Sequence, residues 1–377
     1  MNELISQALD LASKGLSLTS PNPRVGCVLI DPSGRVIGQG HTQRAGGPHA
    51  EVMALRDAAQ KGLSTQGSTA YVTLEPCSHH GRTGPCCEAL IAAGIRKVVA
   101  TNLDPNPLVA GQGFERLKKA GVEVELLPAD HPAAIASREL NIGFFSRMVR
   151  KTPWVRLKIA TSLDGKTALP DGSSQWITGQ DARADGHAWR ARACAVLTGV
   201  GTVLKDNPTL NVRAVETPRQ PHLIIVDSQL RTPPNAALLQ QSIQRQVWIY
   251  AVETTDSAVQ ARAQTLREAG AHVCFLPPTS GSLQVDLPAL LQDLGLREIN
   301  ELHVEAGQTL NGALIESGLV DEFLWYLAPK LVGEGLGAAH FGPLQSLDQA
   351  LALDFLDQAL VGNDLRIRAR VRGRDRF

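Results

Sequence analysis

The sequence predicts an α/β protein built from two tandem units. Apolar, strand-like runs alternate with amphipathic, helix-like runs along most of the chain, the pattern of layered α/β domains. The 377 residues suffice for two domains, at roughly 100–200 residues each. A basic, Pro-containing stretch, RKTPW at 150–154, separates two halves that share no motif. The expected domains are therefore 1–149 and 150–377.

In the first half, ELISQALDLASK reads as an amphipathic helix from about Glu3 to Lys14, stopped by Gly15. VGCVLI reads as a strand before a DPSG turn, and HTQRAGGP as a loop. HAEVMALRDAAQK is a predicted helix between Pro48 and Gly62. STAYVTLEP is a predicted strand, PCCEALIAAG a helix, RKVVAT a strand, FERLKKAG a helix and VEVELL a strand. One helix, about Pro132 to Met148, closes the unit. In the second half, VRLKIATSLDG reads as a strand and turn, and 180–195 as a helix. HLIIVD, VWIYA, HVCFL, ELHVEAG and FLWYLAP read as strands, and TLNGALIESG as a helix. SLDGKTA and SSQWITG read as polar loops.

Composition excludes several function classes. Lys plus Arg and Asp plus Glu both number 37, so no general pull toward nucleic acid or anionic membranes exists. With 43 % hydrophobic and 20 % charged residues the chain is not of the disordered type. No apolar run approaches the roughly 18 residues of a membrane span. The opening MNELISQALDLASKGLSL lacks the basic-then-apolar pattern of a signal peptide. The expectation is a cytoplasmic protein that acts on a small molecule, without nucleic-acid or membrane partners. Among the six cysteines, Cys77, Cys86 and Cys87 cluster beside His79 and His80. That grouping points to metal or catalysis rather than disulfides.

His49-Ala50-Glu51 starts a predicted helix, Pro76-Cys77 follows a strand, and Cys86 starts the next helix. One imidazole and two thiolates suit tetrahedral Zn²⁺ with a position left for water. The positive ends of the helices are expected to favour the thiolate of Cys86. Glu51, two residues past a ligand, can reach the open position and shuttle protons. The zinc-deaminase signature is H-x-E followed by P-C-x-x-C. Here the second cysteine comes nine residues after the first, across an inserted SHHGRTGP. The alternative is a closed structural zinc site completed by His79 or His80.

The runs SPNPRVGCV, PHAE, YVTLEPCSHHGRTGPCCEALIAAG and DPNP resemble the deaminase half of the bifunctional riboflavin-biosynthesis deaminase–reductases. The long cysteine spacing is the one that family uses. The resemblance implies a cytidine-deaminase-like three-layer α/β/α fold. It implies one Zn²⁺ per chain on His49, Cys77 and Cys86, with Cys87 packing and Glu51 catalytic. The implied substrate is a diaminopyrimidinone with a ribosylamino 5′-phosphate, which loses its exocyclic amine. Asn22, His79, Arg82, Asp104 and Asn106 match family positions that hold base, ribose and phosphate. His41 stands eight residues before His49, one more than in the family pattern.

No G-x-G-x-x-G follows the first strand of the second half, so an ordinary Rossmann reading is poor. Gly307-Gln308-Thr309 follows a strand and opens a helix, a phosphate-suited arrangement. VLTGVGTVLKDNPTLNVR is a Gly-rich strand-to-helix connection. Together these runs resemble the reductase half of the same family, implying a dihydrofolate-reductase-like α/β fold and NADPH. The implied cofactor contacts are Ala160, Trp176, Thr202, Asp206, Ser228 and the segment Gly307, Gln308, Thr309, Leu310, Asn311, Gly312 and Ala313. The implied substrate contacts are Ser174, Arg190, Leu210, Arg213 and Glu305. Arg190 and Arg213 suit a phosphate as bidentate donors, and Lys158 and Glu305 lie near strand ends. The implied chemistry is hydride transfer to the ribose C1′ of the deaminated product, and a homo-oligomer is expected. The rival reading, a base deaminase of the tRNA-editing kind, calls for a basic face and the short P-C-x-x-C spacing. The sequence offers neither.

Overall fold

The computed structural model describes residues 3–78, 84–107, 109–241, 244–278 and 283–377. It divides into two compact units, the chain up to Lys151 and Thr152–Arg376. In the first, the order is α1 (Glu3–Ser13), β1 (Gly26–Ile30), β2 (Val36–His41), α2 (Ala50–Gln60), β3 (Thr69–Val72), α3 (Cys86–Ala92), β4 (Lys97–Ala100), α4 (Gln112–Lys119), β5 (Glu123–Leu126), α5 (Pro132–Leu140) and α6 (Ile142–Arg150). The strands form one sheet in the order β2-β1-β3-β4-β5. β1 runs antiparallel to both β2 and β3, while β3, β4 and β5 are parallel.

Two glycines set where α2 lies, and hence where His49 and Glu51 lie. A Cβ on Gly38 would meet the Ala54 carbonyl oxygen at 2.2 Å, and one on Gly40 the Ala50 oxygen at 2.5 Å. Only a bare backbone on β2 lets α2 approach so closely. The core then closes over Ala50, Ala54, Cys27, Val72, Cys87, Leu90 and Val98. The stretch from Val36 to His41, not anticipated as regular structure, is thus the seat of the first helix of the site.

The closing helix is not continuous: α5 and α6 break at Asn141, whose ψ is 18°. The Asn141 side chain accepts the Arg24 backbone N–H (2.7 Å) and donates to the Arg24 carbonyl (2.9 Å). An Asn whose amide bonds another backbone segment competes with helix continuation.

The second unit runs β6 (Trp154–Ser162), β7 (Lys166–Ala168), α7 (Gln180–Arg192), β8 (Ala195–Gly199), α8 (Val200–Asp206), β9 (His222–Val226), β10 (Val247–Val252), α9 (Ser257–Glu268), β11 (His272–Leu276), α10 (Leu287–Leu296), β12 (Glu301–Val304), α11 (Gln308–Glu316), β13 (Glu322–Ala328), β14 (Leu336–Gly337), β15 (Leu353–Val361) and β16 (Asp364–Val371). Nine strands form one sheet, β11-β10-β9-β8-β12-β6-β13-β16-β15. The strands from β11 to β13 in that order are parallel, and β16 and β15 add antiparallel. β14 pairs with β7, so SLDGKTA is not wholly a loop. Apolar layers on the two faces of the sheet hold the helices, one around Val155, Leu302 and Leu290, the other around Ile225, Ile249 and Ala263.

Candidate active sites

In the first unit, residues far apart in sequence meet at two helix starts. His49 precedes α2 in extended conformation and makes no side-chain cap, which leaves its ring free to turn elsewhere. Pro85 precedes α3, and Cys86 is that helix's first residue. The His49 Nδ1 lies 3.5 Å from the Cys77 Sγ and 3.3 Å from the Cys86 Sγ. All three ligand atoms fall within 4.8 Å of one another, the one such cluster among the described residues. Zn–S of about 2.3 Å and Zn–N of about 2.05 Å at tetrahedral angles put sulfur and nitrogen about 3.6 Å apart. The donor set and its spacing therefore fit a zinc ion.

The Cys86 backbone N–H at the start of α3 points to the Cys77 sulfur at 3.3 Å. With the Cys86 thiol and His49 also donating, the Cys77 thiol is lowered to about 4. Cys86 moves up, because its S–H serves the neighbouring sulfur and it is buried. The N–H at the start of α3 thus points at the Cys77 sulfur rather than at the sulfur of Cys86 itself. Two adjacent thiolates need a cation between them, which is what a divalent metal supplies.

Glu51 lies on the first turn of α2, 3 % exposed. Burial and the Cys77 charge raise its carboxyl to about 6, and its side chain hydrogen-bonds with Cys86. Cys87 points into the apolar core instead. Asp104 is also buried, and burial with the nearby charges of Glu75 and Cys77 raises it to about 7. Its Oδ1 accepts the Asn106 N–H at 2.8 Å. Asn22 sits in the α1–β1 loop, its N–H on Thr19. The His41 ring turns to Thr42 and Gln43 beside it. His79, His80 and Arg82 lie outside the described residues. The sequence reading missed Glu75, whose carboxylate accepts four backbone N–H groups. A glutamate directly before Pro-Cys was its only local signal.

In the second unit, the candidates gather at the carboxyl ends of parallel strands, the usual ligand edge of such sheets. Gly199, Ser228 and Glu305 follow or end β8, β9 and β12. Thr202 on α8 lies beside Gly307, which caps α11 with no side chain of its own. Asn311 and Gly312 are covered by the segment around 338–340. The Asn311 amide donates to the Ala338 carbonyl at 2.8 Å, and His340 donates to the Gln308 carbonyl at 2.9 Å. Trp176 is exposed, with the Arg183 guanidinium 4.5 Å from its ring centre. Asp206 ends α8, and Ala160 is partly buried on β6.

Arg190, Leu210, Arg213 and Glu305 are brought together. The Arg190 fork donates through Nε and Nη2 to the two Glu305 oxygens and through Nη1 to the Asn211 carbonyl at 3.1 Å. Its bidentate face meets the Glu305 carboxylate. Burial would raise Glu305, but the Arg190 charge and hydrogen bonds outweigh it and hold Glu305 well below the usual carboxylate range. Lys158 Nζ lies 4.0 Å from Glu305, and His303 Nε2 at 3.4 Å. Burial lowers Lys158 against the pull of Glu305. His187 is pushed down to about 4 by burial, Arg190 and Arg213, so it stays a neutral acceptor for the Arg213 N–H. Arg245, absent from the sequence reading, donates to the Leu210 and Thr209 carbonyls at 2.7 and 2.5 Å. Leu210 has φ +46°, a strained backbone that this clamp holds. Among the described residues no hydrogen bond ties Ser174 to this group.

Comparison with known proteins gives consistent matches across the chain. Residues 153–367 match the RibD C-terminal domain, and residues 1–102 the cytidine and deoxycytidylate deaminase zinc-binding region. The chain is 44 % identical over 375 residues to the riboflavin biosynthesis protein RibD of Escherichia coli (strain K12), covering 96 % of each. It is 40 % identical over 360 residues to RibD of Aquifex aeolicus (strain VF5), covering 96 % of this chain and 95 % of that one. The structure of Acinetobacter baumannii RibD, form 1, matches with a TM-score of 0.85 at 40 % identity over 97 % of each chain. A Thermotoga maritima diaminohydroxyphosphoribosylaminopyrimidine deaminase/5-amino-6-(5-phosphoribosylamino)uracil reductase matches with a TM-score of 0.83 at 31 % identity over 98 % of this chain and 97 % of that one.

Proposed function

The chain belongs to the RibD family of riboflavin-biosynthesis deaminase–reductases, and from that premise we propose how its two halves divide the chemistry. The protein is a bifunctional deaminase and reductase. Residues 1–149 deaminate 2,5-diamino-6-ribosylamino-4(3H)-pyrimidinone 5′-phosphate. Residues 150–377 reduce the ribosyl group of the product, 5-amino-6-(5-phosphoribosylamino)uracil, to a ribityl chain. The observation that carries the first assignment is the spacing of His49 Nδ1 from the Cys77 and Cys86 sulfurs, with the buried Glu51 carboxyl against Cys86.

His49, Cys77 and Cys86 hold the zinc. A bound zinc ion supplies a Lewis acid that makes water nucleophilic near neutral pH. Glu51 is not a ligand in this reading. It takes the proton of the attacking water and delivers it to the departing ammonia. Its burial helps, since a carboxyl raised toward neutrality exchanges protons readily in both directions. Asn22, Asp104 and Asn106 hold the pyrimidine and its sugar phosphate.

In the second half, the open N–H groups at the start of α11, with Thr202, Asp206, Ser228, Ala160 and Trp176, bind NADPH. NADPH supplies the hydride. Ser174, Arg190, Leu210, Arg213 and Glu305 bind the substrate, and the Lys158–Glu305 pair is the local store of a proton for the opened ribose. The chain works in the cytoplasm, a reading supported by cysteine usage, since Cys77 and Cys86 serve a candidate metal site rather than a disulfide. It assembles with copies of itself. Phe355 and Leu360 support that view, 79 % and 77 % exposed on the edge strand β15.

Glu51→Gln tests the deaminase assignment. The variant keeps zinc and the reductase activity and loses deamination by about 10²–10⁴-fold. Wild-type deamination by this variant refutes the role.

A further inference from the structure

Glu75 stands three residues past β3 and two before Cys77. It is 3 % exposed and faces no cationic partner among its hydrogen bonds. Its Oε2 accepts the backbone N–H groups of Asp104 (3.2 Å) and Gly111 (2.9 Å). Its Oε1 accepts those of Gly113 (2.9 Å) and Phe114 (3.3 Å). One carboxylate therefore gathers donors from the start of the loop after β4 and from the start of α4. The Glu75 backbone N–H adds a bond to the Asn102 carbonyl at 2.9 Å.

The fit leaves no slack. A Cβ on Gly113 would meet the Pro76 carbonyl oxygen at 2.0 Å and the Glu75 Oε1 at 3.1 Å. The two carboxyl oxygens take two N–H groups each, whereas an amide would present two N–H groups of its own to N–H partners. The same loop carries Asp104 and Asn106, already tied to each other through the Asn106 N–H.

We propose that Glu75 is a positioning residue of the deaminase site, locking the Asp104–Asn106 loop to the Pro76–Cys77 segment so that substrate affinity, not zinc binding, depends on it. The proposal rests on the assignment of Asp104 and Asn106 as substrate contacts. Glu75 touches neither substrate nor metal in this scheme. Its effect passes through the loop.

The test is Glu75→Gln in the full-length, zinc-loaded protein. Hydrogen-exchange mass spectrometry of peptides covering 104–114 should show exchange faster by about tenfold or more, since two of the four N–H groups lose their acceptor where an NH2 replaces one oxygen. Zinc content should stay at the wild-type level. The deaminase KM should rise about tenfold or more while kcat stays within about threefold, the pattern of lost ground-state positioning. The reductase constants should not move, and the retained zinc reports that the first unit is folded. Zinc loss, an unchanged KM despite faster exchange, unchanged exchange, or a fall in kcat alone each overturns the proposal. If the Gln variant is insoluble, Glu75→Asp carries the test. It keeps the charge one methylene short and should show the same split in smaller measure. A wild-type chain that binds zinc but does not deaminate this substrate would instead overturn the function assigned above.

Discussion

Replacing Arg190 by methionine keeps most of the apolar stem and removes the fork that Glu305 accepts. Both side chains are largely buried, 14 % and 13 % exposed. Removing one member of a buried ion pair leaves an uncompensated charge and costs about 3–5 kcal/mol. The lower end applies here, because Lys158 at 4.0 Å and His303 at 3.4 Å remain near the carboxylate. For a unit of this size, about 3 kcal/mol corresponds to a Tm lower by roughly 6–12 °C. Tryptophan fluorescence isolates the effect, since Trp154, Trp176, Trp189, Trp248 and Trp325 all lie in the second unit. Adding Glu305→Gln should recover part of the loss, so the double variant loses less than the sum of the singles by about 2 kcal/mol. The pH dependence has a fixed sign. Glu305 is depressed in the fold, so the pair's stabilisation is present above the ordinary carboxylate pKa of about 4.3 and fades as pH falls below it. The gap between wild type and Arg190→Met should narrow in that acid range. A Tm within about 2 °C of wild type at neutral pH, or strictly additive singles, would refute the reasoning.

Cys86→Ser should weaken or abolish zinc binding while Cys87→Ser keeps it, because only Cys86 turns toward His49. Metal analysis of both variants decides, and the reverse pattern moves the ligand to Cys87. Chelation should stop deamination and leave NADPH oxidation with the deaminated intermediate intact, since the described residues of the second unit hold no metal cluster. Loss of hydride transfer on chelation would count against that division. Arg245→Met should raise the reductase KM for the phosphorylated substrate. If about 1.4 kcal/mol of the clamp on Thr209 and Leu210 passes to binding, the rise is about tenfold. Steady-state kinetics with an unchanged KM would show that the strained turn holds without Arg245.

The chemistry of the first site was legible because its signals are local. H-x-E at a helix start and Pro-Cys after a strand each need only a few neighbouring residues to be read. Which of Cys86 and Cys87 faces the histidine was implied only by resemblance. The fold decides it, because successive residues on α3 point about 100° apart and one of the two must enter the core around Leu90. The N–H of Cys86 meets a sulfur nine residues back, which no local rule locates.

Contacts across long stretches of chain escaped the sequence altogether. The break at Asn141 is caused by Arg24, 117 residues away, and the fork of Arg190 is taken by Glu305, 115 residues away. In the final hairpin, β15 and β16, Arg366, Arg368 and Arg370 alternate with Ile367 and Ala369, a pattern of a solvated face. In the fold those arginines meet Asp185, Asp357, Glu322 and Asp375. Sequence patterns record which residues share a helix or strand face. The charges that turn an arginine inward lie on other elements, and only tertiary packing brings them within reach.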